Sequence, residues 1–196
     1  MALNVEPHPV SDRERREIDS RIEATPTHAK VKGMYIDSFM RTLDQYGVPR
    51  PNTQRYFTFK DYPMREFMHL MVDACPKLHP DCSFKEALKR QGRLVYPTLM
   101  SSTVGKVIFA IAGRSWEAAL PLASRGYEVS LNPGSATLLD LKPGSAVVAL
   151  RDVYNFADSF QVGVMEGAME LFHIDGTVVP ERKTRVCDVD LIMKWK

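Results

Sequence analysis

The spacing of apolar residues changes near Gly126, and this change constrains the fold more than any other feature of the chain. Before it, apolar side chains recur every three or four residues, as between Met34 and Leu43, and this spacing predicts amphipathic helices. After it, apolar and polar residues alternate in YEVSL, which predicts a half-buried strand over residues 127–131. A helical half followed by a sheet is typical of an α+β fold.

The second half of the chain predicts an antiparallel sheet with one helical insertion. Residues 138–150 have a hairpin pattern around Pro143 and Gly144, the residues that favour the centre of a type II turn. Residues 157–172 return to helical spacing, and the alternating stretch 187–195 predicts a closing strand. We therefore expect a helical N-terminal half packed on an antiparallel sheet of about five strands, which one long helix interrupts.

Local signals set the expected helix boundaries in the first half. Asp61 is the expected N-cap of one helix, and Pro76 is its expected end. Ser83 opens the next helix with an S-x-x-E capping box, and Pro97 is expected to kink or break that helix near Val95.

Residues 1–29 are expected to form a mobile or peripheral arm. A charged helix beginning at Asp12 is possible there, but its apolar positions are only Ile18 and Ile22. Residues 30–196 are interpreted as one α+β domain, because their number suits a single hydrophobic core.

Charge and cysteine content exclude several classes of partner and compartment. The net charge of +2 is too small to predict binding to nucleic acid or to a membrane surface. The longest apolar-leaning run, residues 104–112, contains Lys106 and has about half the length that a membrane span needs. Three cysteines without a dense pattern favour a reducing compartment, so a cytoplasmic protein is expected.

Recognisable catalytic motifs are missing from the sequence. It contains neither a G-x-S-x-G elbow nor a glycine-rich phosphate loop between a strand and a helix. Cys75, His79 and Cys82 lie close together in sequence, but their spacing matches no standard zinc site. We therefore expect a non-enzymatic protein with no cofactor and no metal, and this trio is the weak alternative for a metal site.

Gly163 and Gly167 form a G-x3-G ridge on the predicted helix 157–172. In a soluble protein such a ridge lets another backbone approach closely, and the sheet is the expected neighbour. The alternative is that the ridge leaves a groove for a ligand.

Four segments together resemble a known family: VKGMYIDSFMRTL, HPDCSFKEALKRQGR, PGSAVVALRDVYNFADSFQVGVMEGAMEL and DVDLIMKW. They resemble a paralogous family of domains of unknown function found in myxobacteria. That family is distantly similar to vinyl-reductase-type small-molecule-binding domains and to haem–nitric-oxide-binding domains. The resemblance implies a fold in which helices and sheet enclose a cavity, but a shared fold does not transfer function.

Haem is the cofactor that this resemblance invites, and the sequence departs from the haem-binding pattern. The haem-binding relatives carry an axial histidine in the helical stretch before the sheet, whereas this chain has no histidine between His79 and His173. They also carry a Tyr-x-Ser-x-Arg motif, whereas here Tyr154 is followed by Phe156 and Asp158. A non-haem protein is therefore expected.

The favoured function is a sensory or regulatory module that binds a small, largely apolar molecule in an interior cavity. The expected walls are the helical stretch 103–123, the strand 127–131 and the helix 157–172. Aromatic and methionine residues are expected to line the cavity: Met100, Phe109, Trp116, Tyr127, Phe160 and Met165.

The alternative function is a protein–protein interaction or homodimerisation module with a filled core and no ligand. It would pair through an exposed strand edge or through the helix 157–172. A homo-oligomer or a protein partner is expected, and an enzyme of unrecognised type ranks last.

Overall fold

The computed structural model describes residues 10–101, 103, 106, 107, 110, 113 and 115–196. Phe109 and part of the predicted helical stretch 103–123 lie outside the described residues. Eight α-helices are described: α1 Asp12–Ala24, α2 Gly33–Gln45, α3 Met64–Leu78, α4 Phe84–Arg93, α5 Val95–Ser101, α6 Trp116–Ala119, α7 Ala123–Ser130 and α8 Phe160–Leu171. The described strands are β1 Lys30–Lys32, β2 Asp61–Pro63, β3 Leu131–Asn132, β4 Ser135–Lys142, β5 Ser145–Arg151, β6 Gly176–Arg182 and β7 Val189–Trp195.

The strands form two antiparallel sheets. The main sheet has four strands in the order β4-β5-β7-β6, and α8 lies between β5 and β6 in the chain. The small sheet has three short strands in the order β2-β1-β3. Lys142 pairs with Ser145 across the β4–β5 turn, and Gly144 there has a φ of 76°, as the predicted type II turn requires. The predicted α+β fold is confirmed.

The strand predicted over residues 127–131 is wrong. Most of this stretch belongs to α7, and only Leu131 and Asn132 form the short strand β3. Tyr127, Ser130 and Leu131 lie three and four residues apart, and all three line the same interior cavity. The strand interpretation placed the polar Ser130 on an exposed face, but its side chain is buried. Five residues are too few for the pattern to distinguish a helix from a strand when one polar residue is buried.

The predicted boundaries of α3 are also wrong. Asp61 lies in β2, where it pairs with Lys32, and the helix begins at Met64. Pro76 lies inside the last turn of the helix, which ends at Leu78. A proline so close to the helix end removes one backbone donor without breaking the turns that precede it.

The signals around α4 predict its ends more closely. The Ser83 hydroxyl accepts a hydrogen bond from the backbone N–H of Glu86 at 3.3 Å, which is the expected N-cap. The helix ends at Arg93, and α5 begins two residues later at Val95. Pro97 lies in the first turn of α5, where a missing N–H costs little.

Helix α1 packs into the interior, although its apolar face has only two residues. Ile18 and Ile22 are 4% and 3% exposed and belong to the apolar core shared with α2, α3 and α4. The side chain of Arg21 on the same helix reaches Asp158, just before α8. The boundary between an arm at 1–29 and a domain at 30–196 stays a prediction.

The ridge of Gly163 and Gly167 packs against a helix and not, as expected, against the sheet. A Cβ atom added at Gly163 would lie 1.9 Å from the carbonyl oxygen of Lys89, and one at Gly167 would lie 2.4 Å from that of Arg93. Gly92 makes the reciprocal approach from α4, since its Cβ would lie 2.1 Å from the carbonyl oxygen of Phe160. Helices α4 and α8 therefore pack backbone to backbone.

Two apolar cores meet at α8. One lies among α1–α4 and includes Phe160, and the other lies between α8 and the main sheet and includes Met165. None of the described helices is both long enough and apolar enough to cross a membrane.

Candidate functional site

An interior cavity of about 80 Å³ lies where the two cores meet. Its walls come from α2, α5, α7, α8 and the inner face of the main sheet. The described residues of its lining are mostly apolar, and none of them has an acidic or basic side chain: Val31, Tyr35, Phe67, Val95, Tyr96, Leu99, Gly126, Tyr127, Ser130, Leu131, Ala136, Val148, Leu150, Asn155, Phe160, Gln161, Val164, Met165 and Leu191. A cavity that holds one water molecule has a volume of about 10–15 Å³ by the same measure, so this cavity suits a molecule of a few heavy atoms.

The sheet side of the cavity follows from the alternation of β4, β5 and β7. Val148 and Leu150 point inward from β5, and Leu191, which pairs with Val148, points inward from β7. Ala136 lies opposite Leu150 on β4, and its small side chain leaves space beside the larger ones. The cavity therefore depends on a small residue in an otherwise bulky layer.

A chain of hydroxyl groups joins α2 to α7 at the cavity wall. The Ser130 hydroxyl donates to the backbone carbonyl of Gly126 at 2.6 Å. It has one proton, so the Tyr35 hydroxyl is the donor in the 2.6 Å contact between Tyr35 and Ser130. On the same helix, the Tyr127 hydroxyl donates to the carbonyl of Pro133 at 3.2 Å. These bonds fix the tyrosine rings that line the cavity.

An amide pair forms the polar part of the wall near α8. Nε2 of Gln161 donates to Oδ1 of Asn155 at 3.0 Å, and Asn155 is only 1% exposed. The backbone around this pair is constrained, because Phe156 has a φ of 54° and its N–H bonds to the carbonyl of Tyr154 at 2.7 Å. Nδ2 of Asn155 is buried and has no hydrogen-bond partner among the described residues.

The ionisable groups in the wall remain neutral. Burial raises the pKa of Tyr35, and it raises the pKa of Tyr96 to about 12. Burial also raises the pKa of Tyr127, with a smaller contribution from the charge of Asp152. Phenols with raised pKa values are poor bases and poor nucleophiles near neutral pH, so these three tyrosines offer binding contacts.

Three of the six predicted lining residues line the cavity. Tyr127, Phe160 and Met165 do so from α7 and α8. Met100 and Trp116 do not, and Phe109 lies outside the described residues. The ring of Trp116 instead packs against Phe172, just after α8, and Trp195, at the end of β7, with centroids 5.7 and 6.1 Å away.

The sequence prediction missed several lining residues of the cavity: Tyr35, Tyr96, Ser130, Asn155 and Gln161. The sequence contains a signal for Gln161, because it is a polar residue between Phe160 and Val162 at the otherwise apolar start of α8. The signal for Tyr35 was hidden, since an aromatic residue on an amphipathic helix is typical of any core.

The structure does not bring the weak metal trio together. Cys75 is fully buried, and burial raises the pKa of its thiol. Sγ of Cys82 contacts the backbone carbonyl of His79 at 3.6 Å. Within the described part of the chain, the group whose ligand atoms lie within 4.8 Å of one another is different, namely Asp152, Cys187 and Asp188.

The two carboxylates of that second group form ion pairs with an arginine side chain of the same chain. The Arg185 guanidinium contacts Asp188 at 2.9 Å and Asp152 at 2.5 Å. Its hydrogen bonds hold the pKa of Asp188 at about 2. The carboxylates therefore already have a partner, and the group is best explained as a link between two loops.

Comparison with solved structures identifies the fold. An Fe(II) unliganded H-NOX protein from K. algicida has a TM-score of 0.64 at 12% identity, covering 84% of this chain and 96% of that one. An oxygen-binding H-NOX domain related to soluble guanylate cyclases has a TM-score of 0.59 at 14% identity, covering 84% and 92%. An Fe(II)NO H-NOX protein from S. oneidensis has a TM-score of 0.55 at 14% identity, covering 84% and 99%. At these identities the similarity shows the fold alone.

The expected similarity to the haem–nitric-oxide-binding fold is thus confirmed at the level of architecture. No curated protein matches the chain. The occurrence of its relatives in myxobacteria stays a prediction. Residues 27–196 match a family described as protein of unknown function (DUF2378), and the chain belongs to that family.

Proposed function

We propose that this protein is a sensory or regulatory module that binds a small, largely apolar molecule in the interior cavity and does not bind haem. The observation that carries the proposal is the cavity of about 80 Å³ with a mostly apolar, uncharged lining at the junction of the two cores. Protein interiors are close-packed, so a cavity of this size leaves lining atoms without partners unless something occupies it. The H-NOX-like fold supports a sensory role by analogy only.

The residues around the cavity do not fit haem. Haem needs an axial ligand and groups that hold its propionates. The described lining contains no histidine, no cysteine and no cationic side chain, and residues 102–114 contain no histidine or cysteine. The cavity is also too small for a porphyrin ring.

Native mass spectrometry of protein purified from its own host tests the proposal. We expect a bound mass of a small organic molecule in the wild-type chain. Ala136→Leu would extend a side chain into the cavity and is expected to remove the bound mass. Thr137→Leu, on the exposed face of the same strand, is the matched control and should retain it. A clean mass of the polypeptide alone across several preparations would overturn the proposal.

The second candidate function is homodimerisation through a sheet edge. It is favoured by the edge strands β4 and β6, where Leu139 and Val179 are 57% and 56% exposed. The helix α8 is a poor alternative surface, because most of its residues are buried. Light scattering at high concentration tests this function, and a strictly monomeric protein would exclude it.

A cytoplasmic location belongs to the same proposal. Cys75, Cys82 and Cys187 are all free thiols, and cysteines in oxidising compartments usually form disulfides.

A further inference from the structure

We infer that the ligand of the interior cavity is a neutral molecule with a hydrogen-bond acceptor, such as a carbonyl or ether oxygen, to which the side-chain amide of Asn155 donates. This inference rests on the proposed function, because it requires that the cavity holds a ligand. It adds the chemical class of that ligand and the residue that recognises its polar atom.

Three hydroxyl groups of the cavity wall already donate hydrogen bonds to other groups of the protein. Tyr35 donates to Ser130, Ser130 donates to Gly126, and Tyr127 donates to the carbonyl of Pro133. These groups would have to give up an internal bond before they could donate to a ligand. Such an exchange of one hydrogen bond for another gains little free energy.

The amide of Asn155 differs from these hydroxyls. Its Oδ1 accepts from Gln161, but its Nδ2 has no partner within the described structure. Other described buried atoms without partners belong to His79, Gln91 and Trp116, and none of these residues lines this cavity. A buried donor without a partner is costly, so an acceptor supplied by a ligand would recover free energy at Nδ2 of Asn155.

The backbone holds Asn155 at the wall. The next residue, Phe156, has a φ of 54° and is 2% exposed, with its ring packed edge-on against Phe84 at 5.9 Å. Asp158 lies two residues further on and is anchored by Arg21 at 2.7 Å. Asn155 itself is only 1% exposed, so these contacts hold its amide inside the protein.

The lining also excludes a charged ligand. None of the described residues around the cavity carries a side-chain charge, and the pKa of Tyr96 is raised to about 12. An ion transferred into such a space loses its hydration without gaining a partner of opposite charge. The ligand is therefore neutral, and its body is apolar to match the rest of the wall.

Three small probes of similar size test the inference on the full chain. Cyclopentanone carries an acceptor, methylcyclopentane has a methyl group in place of the oxygen, and cyclobutanecarboxylate is an anion near neutral pH. Their affinities are measured by titration with ¹⁵N-labelled protein, in which the side-chain amide of Asn155 reports directly on contact. We expect cyclopentanone to bind about threefold to tenfold more tightly than methylcyclopentane, as one neutral hydrogen bond would give. The carboxylate should bind at least about tenfold more weakly than the ketone.

The variant Asn155→Leu keeps the approximate size of the side chain and removes the amide. This variant should bind cyclopentanone no more tightly than methylcyclopentane. Its affinity for methylcyclopentane should stay within about twofold of the wild-type value. Asn52→Leu makes the same chemical change outside the cavity, so it should change neither affinity. If Asn155→Leu does not fold, the comparison of the three probes on the wild-type chain still decides the question.

The outcomes separate this inference from the proposed function. Equal binding of the ketone and the hydrocarbon, or tight binding of the carboxylate, would overturn the inference and leave a cavity that binds small molecules. Failure of all three probes to bind would count against the cavity as a binding site and so against both. A shift of the Asn155 amide resonance with the ketone, absent with the hydrocarbon, would support the inference.

Discussion

The tightest constraint on a single residue is the approach of α4 to α8 at Gly163. A Cβ atom there would lie 1.9 Å from the carbonyl oxygen of Lys89, and backbone atoms cannot give way as a flexible side chain can. The G-x3-G spacing predicted a close backbone approach. It did not identify the neighbour, because spacing along one helix contains no information about which element packs on it.

Gly163→Ala is therefore expected to destabilise the fold. We expect the free energy of unfolding to fall by about 3 kcal/mol, since the two helices must separate to admit the methyl group. Helix propensity alone would have the opposite sign and favour alanine by about 1 kcal/mol. Urea denaturation measures the difference. Glu170→Ala, at an exposed position of α8, is the control and should change stability by no more than about 0.5 kcal/mol. An unchanged or increased stability of Gly163→Ala would contradict the packing argument.

At the scale of elements, short patterns were the least reliable guide. The alternation in 127–131 predicted a strand, but the stretch belongs mainly to α7. The pattern was misleading because it assigned the polar Ser130 to an exposed face, whereas bonds to Tyr35 and Gly126 hold its side chain in the interior. Longer patterns such as 187–195 predicted the strand β7 correctly, with Leu191 and Met193 fully buried. A buried polar residue reverses the pattern of a short segment, whereas a long segment tolerates one exception.

The docking of α1 also depends on a buried polar group, the carboxylate of Asp158. It contacts Arg21 of α1 at 2.7 Å and Lys85 of α4 at 3.6 Å, and Arg182 of β6 also bonds to it. Burial by itself would raise the pKa of Asp158, but the bonds and charges of Arg21 and Arg182 outweigh it and hold the pKa at about 2. Three elements thus meet at one carboxylate that stays ionised.

This carboxylate predicts a loss of stability in acid. The pKa of Asp158 lies below its ordinary value of 3.8, so its stabilising contribution is present above about pH 4 and is lost as the pH falls toward 2. We expect the wild-type chain to lose about 2 kcal/mol more unfolding free energy across this range than Asp158→Asn does. Urea denaturation at several pH values measures this difference, and hydrogen exchange in α1 reports the local release. The control Asp44→Asn changes an exposed ion pair with Arg50 and should follow the wild-type exchange in α1. Parallel pH profiles for wild type and Asp158→Asn would refute the assignment.

At the scale of the whole molecule, the cavity joins residues that are far apart in sequence. Tyr35 and Ser130 are separated by 95 positions and meet through one hydrogen bond. Periodicity predicts which face of a helix is buried, but not which buried faces leave space between them. Tyr127, Phe160 and Met165 line the cavity, and their contact with a ligand stays a prediction. The sequence could not place Trp116, whose partner rings Phe172 and Trp195 lie at the ends of α8 and β7.

The departure from the haem pattern gives a prediction for the molecule as a whole. The described part of the wall lacks imidazole, thiolate and cationic groups and so departs from the haem-binding pattern, although the fold matches H-NOX proteins with a TM-score of 0.64. We expect the chain, expressed with haem precursor and then titrated with haemin, to show no sharp Soret band and no protein-bound stoichiometric iron. An H-NOX protein prepared in the same way serves as the positive control. A stoichiometric Soret band in the wild-type chain would mean that this fold can hold haem without a histidine in the cavity wall, and it would overturn the non-haem part of the proposed function.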